Sequence, residues 1–308
     1  MDRFDTILVT GANGFVGTNL VEYLESRSFR NTFGLLSSDC DLTDRKSTLR
    51  WFQEVKPKYV FHMAGYVNGI AGNMKNQGNA YLRNVQINTN VIEAAQMFAV
   101  KKIVAMGTVA MYPPKAKSEA KGFCEGEIFD GPPHDAEKGY AHAKRAMLAQ
   151  LDTCGVPFAL PIATNMFGGH DRFDVENGHC IPSLVRKSYE AGRDEEPMRV
   201  WGDGSAKRDF MYIKDVVMAL HTIMEKVEGP INLATGVTHS IKDVAAILKE
   251  CSGCTVEWDK TKPVGQISRS YDVSKLIGAG ILFQNSLEQG LRETYEWYSK
   301  NEAVARKH

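Results

Sequence analysis

The chain has 308 residues, about two domains by the usual prior, and a chain of this length needs no disulfide scaffold to bury a core. Its 43% apolar and 24% charged residues are typical of a globular protein and exclude disordered, collagenous and coiled-coil classes. Lysine plus arginine equals aspartate plus glutamate at 37 each, which argues against bulk attraction for nucleic acid or anionic lipid. An anionic ligand therefore has to be bound by a local site.

The cysteine spacing indicates whether the chain binds a metal, and its hydropathy indicates whether it enters a membrane. Of six cysteines, only Cys251 and Cys254 are spaced as a pair, and neither a second pair nor two histidines lie near them. We therefore expect reduced cysteines and no metal. No run approaches the ~18 apolar residues of a membrane helix, and the N-terminus lacks a signal-peptide pattern. We expect a cytoplasmic protein without membrane contact.

A strand, a glycine turn and a helix are predicted within the first thirty residues. Thr6 to Thr10 is a short apolar and β-branched run, the glycines of Gly11 to Gly17 follow at spacings of three, and Thr18 to Leu24 has a helical pattern. Glycines let the backbone turn sharply and approach a pyrophosphate, whose charge then lies at the helix N-terminus. A dinucleotide site is predicted, and a tight turn without a ligand is the alternative.

Strands and helices continue to alternate along the first half of the chain. Strands are predicted over Thr32 to Leu36, Tyr59 to Ala64 and Lys102 to Met106, and a helix over Asn88 to Phe98. Near-continuous apolar strands between helices indicate an α/β fold: a Rossmann-type doubly wound parallel sheet. Its ligand is expected at the carboxyl edge of the strands.

The residues after the second strand indicate which nicotinamide cofactor fits. An enzyme that selects NAD usually has a carboxylate there for the ribose hydroxyls, whereas a 2′-phosphate needs hydroxyls or cations. Here Ser37 and Ser38 come before Asp39. This order favours NADP(H). Because no arginine stands there, NAD(H) stays the alternative.

A phenol and an ammonium group are predicted on one helix face. Tyr140 and Lys144 are four residues apart, and the apolar period continues through Met147 and Leu151. A tyrosine with a pKa of ~10 is a poor base, but a neighbouring lysine cation can stabilise its phenolate. Thr108 follows the strand that ends at Met106 and could bind the same carbonyl oxygen. A surface pair without a role is the alternative.

The glycine spacing together with Thr108, Tyr140 and Lys144 resembles the extended branch of the short-chain dehydrogenase/reductase superfamily. The resemblance implies hydride transfer between a nicotinamide and a carbon that bears oxygen. Tyr140 would exchange the proton, Thr108 would orient the oxygen, and Lys144 would bind the nicotinamide ribose and lower the pKa of the tyrosine. It also suggests a homodimer formed through the helix at Asn88 to Phe98 and the helix that carries Tyr140.

The same resemblance implies a set of cofactor contacts. For one of them, Asp41, a helix N-cap is an equally good interpretation. The predicted cofactor-binding residues are Gly11, Asn13, Gly14, Phe15, Val16, Gly17, Ser37, Ser38, Asp41, Leu42, Ala64, Gly65 and Lys144.

Further motifs resemble the GDP-L-fucose synthase family, whose NADPH-dependent members epimerise and then reduce a GDP-4-keto-6-deoxymannose. The motifs are Gly69 to Asn73, Thr164 to Asp171, Asn177 to Pro182, Val200 to Gly204, Arg208 to Tyr212 and Ile231 to Gly236. The substrate-binding residues implied by the resemblance are Asn165, His179, Lys187, Trp201, Arg208 and Asp272. For Trp201, core packing is the alternative.

The chain departs from that family where its epimerase chemistry needs a base. The family has a cysteine two residues after the catalytic hydroxyl, where this chain has Ala110, while the partner histidine is kept as His179. Alanine cannot take a proton from the carbon beside a ketone. Lys187 also replaces an arginine. An ammonium group therefore stands where the family has a guanidinium group, which can form two parallel hydrogen bonds to one anion. The sequence therefore predicts reduction at carbon 4 of a nucleotide-linked 4-keto sugar, a GDP-linked 6-deoxy sugar or heptose.

Three other functions stay open. A bifunctional epimerase/reductase would need another base, for which Cys180, His134 and His170 are candidates. A sugar-nucleotide 4-epimerase accepts a small residue at Ala110 but favours a carboxylate after the second strand. A cofactor-sensing protein without chemistry would typically lack the Tyr140 and Lys144 pair.

The predicted division has a dinucleotide-binding domain over 1–167 and a mainly substrate-binding, mixed α/β domain over 168–308. The resemblance implies that a segment near 208–236 returns to the main sheet, with Phe210 to Met224 as its strand and helix. Pro113 to Gly139 is predicted as a loop over the site.

Overall fold

The structure is a computed structural model that describes residues 1–67, 70–118, 121–176, 178–261 and 269–307. Two residues of the motifs above, Gly69 and Asn177, lie outside the described residues. The strands are Ile7–Thr10 (β1), Thr32–Leu35 (β2), Tyr59–His62 (β3), Lys102–Ala105 (β4), Gly107–Thr108 (β5), Phe158–Ala163 (β6), Asn165–Phe167 (β7), Met198–Trp201 (β8), Lys207–Tyr212 (β9), Gly229–Leu233 (β10), Thr238–Ser240 (β11) and Val256–Asp259 (β12). The helices are Phe15–Ser26 (α1), Arg45–Val55 (α2), Ile70–Lys75 (α3), Gln77–Met97 (α4), Lys138–Thr153 (α5), Cys180–Arg193 (α6), Ile213–Lys226 (α7), Ile241–Ser252 (α8), Ser274–Gly278 (α9) and Leu287–Asn301 (α10).

The main sheet is parallel and doubly wound. Its strand order is β10-β6-β4-β3-β1-β2, and β5 also pairs with β6. Every residue of β1, β3 and β4 is buried because α1 and α7 pack on one side of the sheet and α2, α4 and α5 on the other. The predicted fold class is confirmed. The strand order reverses beside β1, so the carboxyl end of β1 is the expected ligand site.

Helix α4 is longer than its apolar pattern predicts. It begins at Gln77 instead of Asn88, because the buried Asn84 interrupts the apolar pattern before Asn88. The Asn84 amide binds both the main-chain N–H and the main-chain carbonyl of Tyr66, at 3.0 and 2.8 Å, and Asn90 Nδ2 donates to the Leu42 carbonyl at 2.8 Å. Each polar side chain thus fixes a loop at the carboxyl edge of the sheet.

The segment that returns to the main sheet consists of α7 and β10. Helix α7 packs on α1, β4 and β6, and β10 pairs in parallel with β6. The strand predicted for this return, which begins near Phe210, is β9, and β9 pairs with β7 and β11 in a separate three-stranded sheet. The returning strand is therefore the next one along the chain.

The later part of the chain is a smaller mixed α/β region. Besides the three-stranded sheet it contains the parallel pair β8 and β12, and helices α6, α8 and α10 pack on one another. Its core is continuous with that of the main sheet, because buried residues from Val9 through Leu220 to Leu248 form one cluster. The domain boundary at residue 167 stays a prediction. Among the described helices, none combines the length and the apolar character of a membrane span.

Candidate active site

The glycine turn has the shape that a dinucleotide requires. Gly11 has φ +67°, and a Cβ there would lie 2.8 Å from Ala64 Cα. A Cβ on Gly17 would overlap the Gly11 carbonyl oxygen. Gly14 is the N-cap of α1 and has no side chain to satisfy the free N–H groups of the first turn. The turn therefore lies close against the end of β3 and leaves the helix N-terminus open to an anion.

The other predicted cofactor residues border this turn. Asn13 is exposed, and Phe15 and Val16 lie in the first turn of α1. Ala64 follows β3, and its N–H donates to Thr10 Oγ1 at 3.2 Å. A Cβ on Gly65 would lie 3.8 Å from Lys144 Nζ, so the glycine edge of the site reaches the predicted catalytic lysine.

The turn after β2 presents hydroxyl groups. Ser37 and Ser38 are exposed, whereas the Asp39 carboxylate accepts hydrogen bonds from Leu36 N at 3.1 Å and Ser38 Oγ at 3.3 Å. The carboxylate is therefore used within its own turn.

Asp41 is not the N-cap of α2. That cap is Asp44, whose side chain accepts from the main-chain N–H groups of Lys46 and Ser47. Asp41 instead accepts from the Thr43 N–H at 2.9 Å and the Thr43 hydroxyl at 2.8 Å, and these bonds lower the pKa of its carboxyl. The N-cap interpretation of Asp41 is wrong, and the buried Leu42 lies beside it.

The predicted catalytic pair lies on α5. Lys144 Nζ is 5.9 Å from the centroid of the Tyr140 ring and donates to the Met106 carbonyl at 2.8 Å. Lys144 is 2% exposed, and burial lowers its pKa to about 8. Thr108 lies at the end of β5, and its Oγ1 accepts from Ala110 N at 3.3 Å, which leaves the hydroxyl proton available to a ligand.

The structure contradicts one expectation about this pair. The Tyr140 pKa is raised, first by burial and then by the charge of Glu137, instead of being lowered by Lys144. Desolvation disfavours the charged phenolate and is the larger of the two causes. The phenol is therefore protonated at neutral pH, which is the state that an acid needs.

His62 is a site residue that the sequence analysis did not single out. Its ring is fully buried between Thr10 Oγ1 at 2.8 Å and Asn88 Oδ1 at 3.1 Å. Burial and the nearby charge of Lys144 lower its pKa to about 3, so it is neutral. Its two hydrogen bonds link α4 to β1, the strand that precedes the glycine turn. A histidine inside an otherwise apolar strand is the signal that could have identified it.

His179 is paired with a buried carboxylate. It is the N-cap of α6, and its Nδ1 lies 3.8 Å from Asp171 Oδ1, whose residue is 2% exposed. Asp171 raises the pKa of His179 against the effect of burial. The charge of Glu137 acts on both His179 and Tyr140, so the two predicted catalytic groups face one region. Ala110 is buried and has no proton to exchange.

Lys187 and Arg208 lie near Cys180, and Trp201 lies beside Lys187. Lys187 Nζ is 5.1 Å above the Trp201 ring, and Trp201 is 53% exposed, so the core-packing interpretation of Trp201 is wrong. Burial lowers the pKa of both Lys187 and Arg208, and the Cys180 thiol lies within electrostatic range of both cations. This combination suits a diphosphate next to a flat ring.

The remaining substrate candidates are held by their own hydrogen bonds. Asn165 Nδ2 donates to the Asp209 carbonyl at 3.0 Å. Asp272 Oδ1 accepts from Ser274 N at 2.8 Å, and the Ser274 hydroxyl followed by this N–H lowers the pKa of the Asp272 carboxyl. The Asp272 backbone joins the loop after β5 through its N–H, which donates to the Phe123 carbonyl at 2.9 Å.

Each candidate replacement base has contacts of its own. Desolvation raises the pKa of the accessible Cys180 thiol to about 11, which keeps it protonated. His134 Nδ1 accepts from Ala136 N in its own turn, and His170 pairs with Glu22 at 3.2 Å. Within the described ranges, no group of three or more His, Cys, Asp or Glu residues is arranged to hold a metal ion.

The sequence profile of the NAD dependent epimerase/dehydratase family matches residues 7–234. The chain belongs to this family. The predicted resemblance and the prediction of an enzyme that uses a dinucleotide are therefore confirmed.

Relatives within the family share the full length of the chain. A GDP-L-fucose synthase of Dictyostelium discoideum is 32% identical, over 98% of both chains. A GDP-L-fucose synthetase of Naegleria fowleri, solved with NADP bound, superposes with a TM-score of 0.89 at 29% identity, over 100% of this chain and 96% of that one. A GDP-mannoheptose C4 reductase of Campylobacter jejuni, also with NADP bound, has a TM-score of 0.86 at 26% identity, over 97% and 99%.

Proposed function

We propose that this protein is an NADPH-dependent reductase of carbon 4 in a nucleotide-linked 4-keto sugar, a GDP-linked 6-deoxy sugar or heptose. The observation that carries the proposal is the pairing of a protonated, half-buried Tyr140 with a buried Lys144 beside the glycine turn. The GDP-sugar enzymes among its relatives support the substrate class. Ala110 in place of the cysteine supports loss of the epimerase step.

The residues present fit a reduced nicotinamide dinucleotide, which supplies a hydride when bound. The glycine turn and the N-terminus of α1 would hold its pyrophosphate, and Lys144 its nicotinamide ribose. Tyr140 donates its phenolic proton to the ketone oxygen as that oxygen becomes an alkoxide, and Thr108 donates a hydrogen bond to the same oxygen. Lys144 then stabilises the phenolate until it regains a proton from solvent. The Lys187 and Arg208 cations would bind the diphosphate of the substrate.

One observation favours a bifunctional 3,5-epimerase/4-reductase as the second candidate. His179 is kept, and its contact with Asp171 raises its pKa, as a proton donor requires. A histidine acid alone does not start epimerisation, because a base must first remove a proton beside the ketone. The two candidates differ in whether the sugar exchanges hydrogen with solvent.

The decisive experiment uses NADPH and a panel of nucleotide 4-keto sugars in deuterium oxide. We expect loss of NADPH absorbance with the GDP-linked substrates and a product without deuterium at carbons 3 and 5 by NMR. Deuterium at either carbon before reduction would favour the bifunctional candidate. No NADPH oxidation with any member of the panel would contradict the proposed function.

NADP(H) preference is the second proposal. It is supported by the exposed Ser37 and Ser38 hydroxyls. It is also supported by the Asp39 carboxylate, which accepts a hydrogen bond from Leu36 N in its own turn. Ser37→Asp should lower the ratio of kcat/KM for NADPH to that for NADH by about 10- to 100-fold, because the new carboxylate would repel the 2′-phosphate at an exposed, partly screened position. The neutral, equally large Ser37→Asn is the matched control. An equal loss in both variants would mean that size and not charge matters there.

A homodimer is the third proposal. Helix α4 exposes Tyr81, Leu82 and Met97, and the loop before α5 exposes Phe129. An open hollow of about 780 Å³ lies between α4, α5 and that loop, and its lining includes Gln77, Tyr81 and Phe129. Exposed large apolar side chains on paired helices are typical of a protein interface, and a second copy would cover them.

A further inference from the structure

Two neighbouring cations of α5 bind main-chain carbonyls on either side of Thr108. Lys144 Nζ donates to the Met106 carbonyl at 2.8 Å, and Arg145 Nε donates to the Met111 carbonyl at 2.7 Å. Thr108 lies between these two carbonyls in the chain. One helix therefore holds both ends of the segment that carries the catalytic hydroxyl.

The segment between the two carbonyls is a tight turn whose conformation sets the position of Thr108. Thr108 caps a single 3-10 turn, Val109–Met111, through the bond from Ala110 N to its Oγ1, and Tyr112 N donates to the Val109 carbonyl at 3.2 Å. Short 3-10 turns have poorer hydrogen-bond geometry than α-helices and need outside support. Met111 is fully buried, so its carbonyl needs a partner from the protein.

Arg145 is an unusual choice for that partner. It is 7% exposed, and burial lowers its pKa without an opposing charge among the described groups. Its Nη2 is buried and has no hydrogen-bond partner in the described part of the chain, and its guanidinium lies 5.9 Å from the Phe129 ring. A buried cation without a carboxylate is costly, so fold stability alone does not explain it.

We propose that Arg145 is a positioning residue for the reduction, which holds the Thr108–Met111 turn so that the Thr108 hydroxyl and the Tyr140 phenol meet the same ketone oxygen. The charge-assisted bond to the Met111 carbonyl supplies the rigidity, and the bond of Lys144 to Met106 supplies the matching anchor. This inference rests on the proposed function. It adds a residue that does not itself touch substrate or cofactor.

The test is a double-mutant cycle between Arg145→Met and Thr108→Val, measured with NADPH and the 4-keto sugar that the parent reduces. Arg145→Met should lower kcat by about 10- to 100-fold, because a small misplacement of a catalytic group lowers the rate by this much. The KM for NADPH should stay within about twofold of the parent value. In the Thr108→Val background the same change should cost less than about threefold, because the misplaced hydroxyl is already absent. Arg145→Lys, which keeps a donor for the carbonyl, should restore much of kcat.

Lys102→Met is the matched control. Lys102 is also a buried cation that donates to a main-chain carbonyl, that of Ile223 at 3.1 Å, but it stands at the amino end of β4, away from the site. Its loss should lower the melting temperature without changing kcat.

Equal kcat losses from Arg145→Met in the parent and in the Thr108→Val background would overturn the positioning role. So would a loss in Arg145→Met that Lys102→Met reproduces. If Arg145→Met does not fold, Arg145→Gln, which is polar but loses the charge-assisted bond, is taken through the same cycle with the same criterion. Failure of the proposed function is seen separately, because the parent would then reduce no 4-keto sugar.

Discussion

Tyr140→Phe should lower kcat for ketone reduction by about 10²- to 10⁴-fold, the usual contribution of a positioned proton donor. Burial keeps this phenol protonated in the molecule without cofactor, so the residue enters the reaction as an acid. The substitution removes one oxygen atom and keeps the ring that packs beside Lys144. Cofactor affinity should therefore stay within about twofold, since the lost group acts in the transition state. Steady-state kinetics and NADPH fluorescence titration measure the two quantities.

Tyr298→Phe is the control for the loss of a tyrosine hydroxyl. Tyr298 is fully buried in α10, and its hydroxyl has no hydrogen-bond partner among the described residues. Its variant should have the kcat of the parent. A Tyr140→Phe variant as active as the parent would contradict the proposed chemistry and revive the cofactor-sensing alternative.

Lys144→Met should lower kcat/KM by about 10²- to 10³-fold, as expected when a preorganised charge at a developing anion is removed. The reason is electrostatic, because the ammonium group is 2% exposed and its charge is poorly screened. The variant also loses the group proposed to bind the nicotinamide ribose, so the KM for NADPH should rise. Lys138→Met, at the exposed first residue of the same helix, is the control and should have the kcat/KM of the parent.

The same residue predicts a pH dependence. Burial lowers the pKa of Lys144 from its usual 10.5 to about 8, so the cation is present below that pH and is lost above it. The kcat/KM of the parent should therefore fall above about pH 8, by up to tenfold per pH unit, because this parameter reports the free enzyme. Lys144→Met should show no such fall, since the titrating group is gone. A parent profile flat to pH 10 would show that the charge of Lys144 is not required.

Local patterns in the sequence were sufficient for strands β1 to β4, the glycine turn and the reactive pair. β1 and β3 are runs of adjacent apolar residues, and Tyr140 and Lys144 are one helical turn apart, so neighbours along the chain determine their structure. The prediction for Ala110 also needed no structure, because an alanine side chain cannot act as a base. Helix α4 was predicted short because the buried Asn84 binds the distant main chain of Tyr66, and such a partner leaves no periodic signal in the sequence.

The protonation states of the site residues, and the hydrogen bonds that hold these residues in place, depend on contacts between residues far apart in the chain. Tyr140 is a protonated acid because packing desolvates it, which the spacing to Lys144 alone did not reveal. His179 has a raised pKa because the loop before α6 brings Asp171 to it, and His62 is neutral because β1 and α4 enclose its ring. Residue type and spacing therefore determined the fold and the reactive groups. Burial and long-range hydrogen bonds, which exist only after folding, decided the charge of each group and which residues hold it in place.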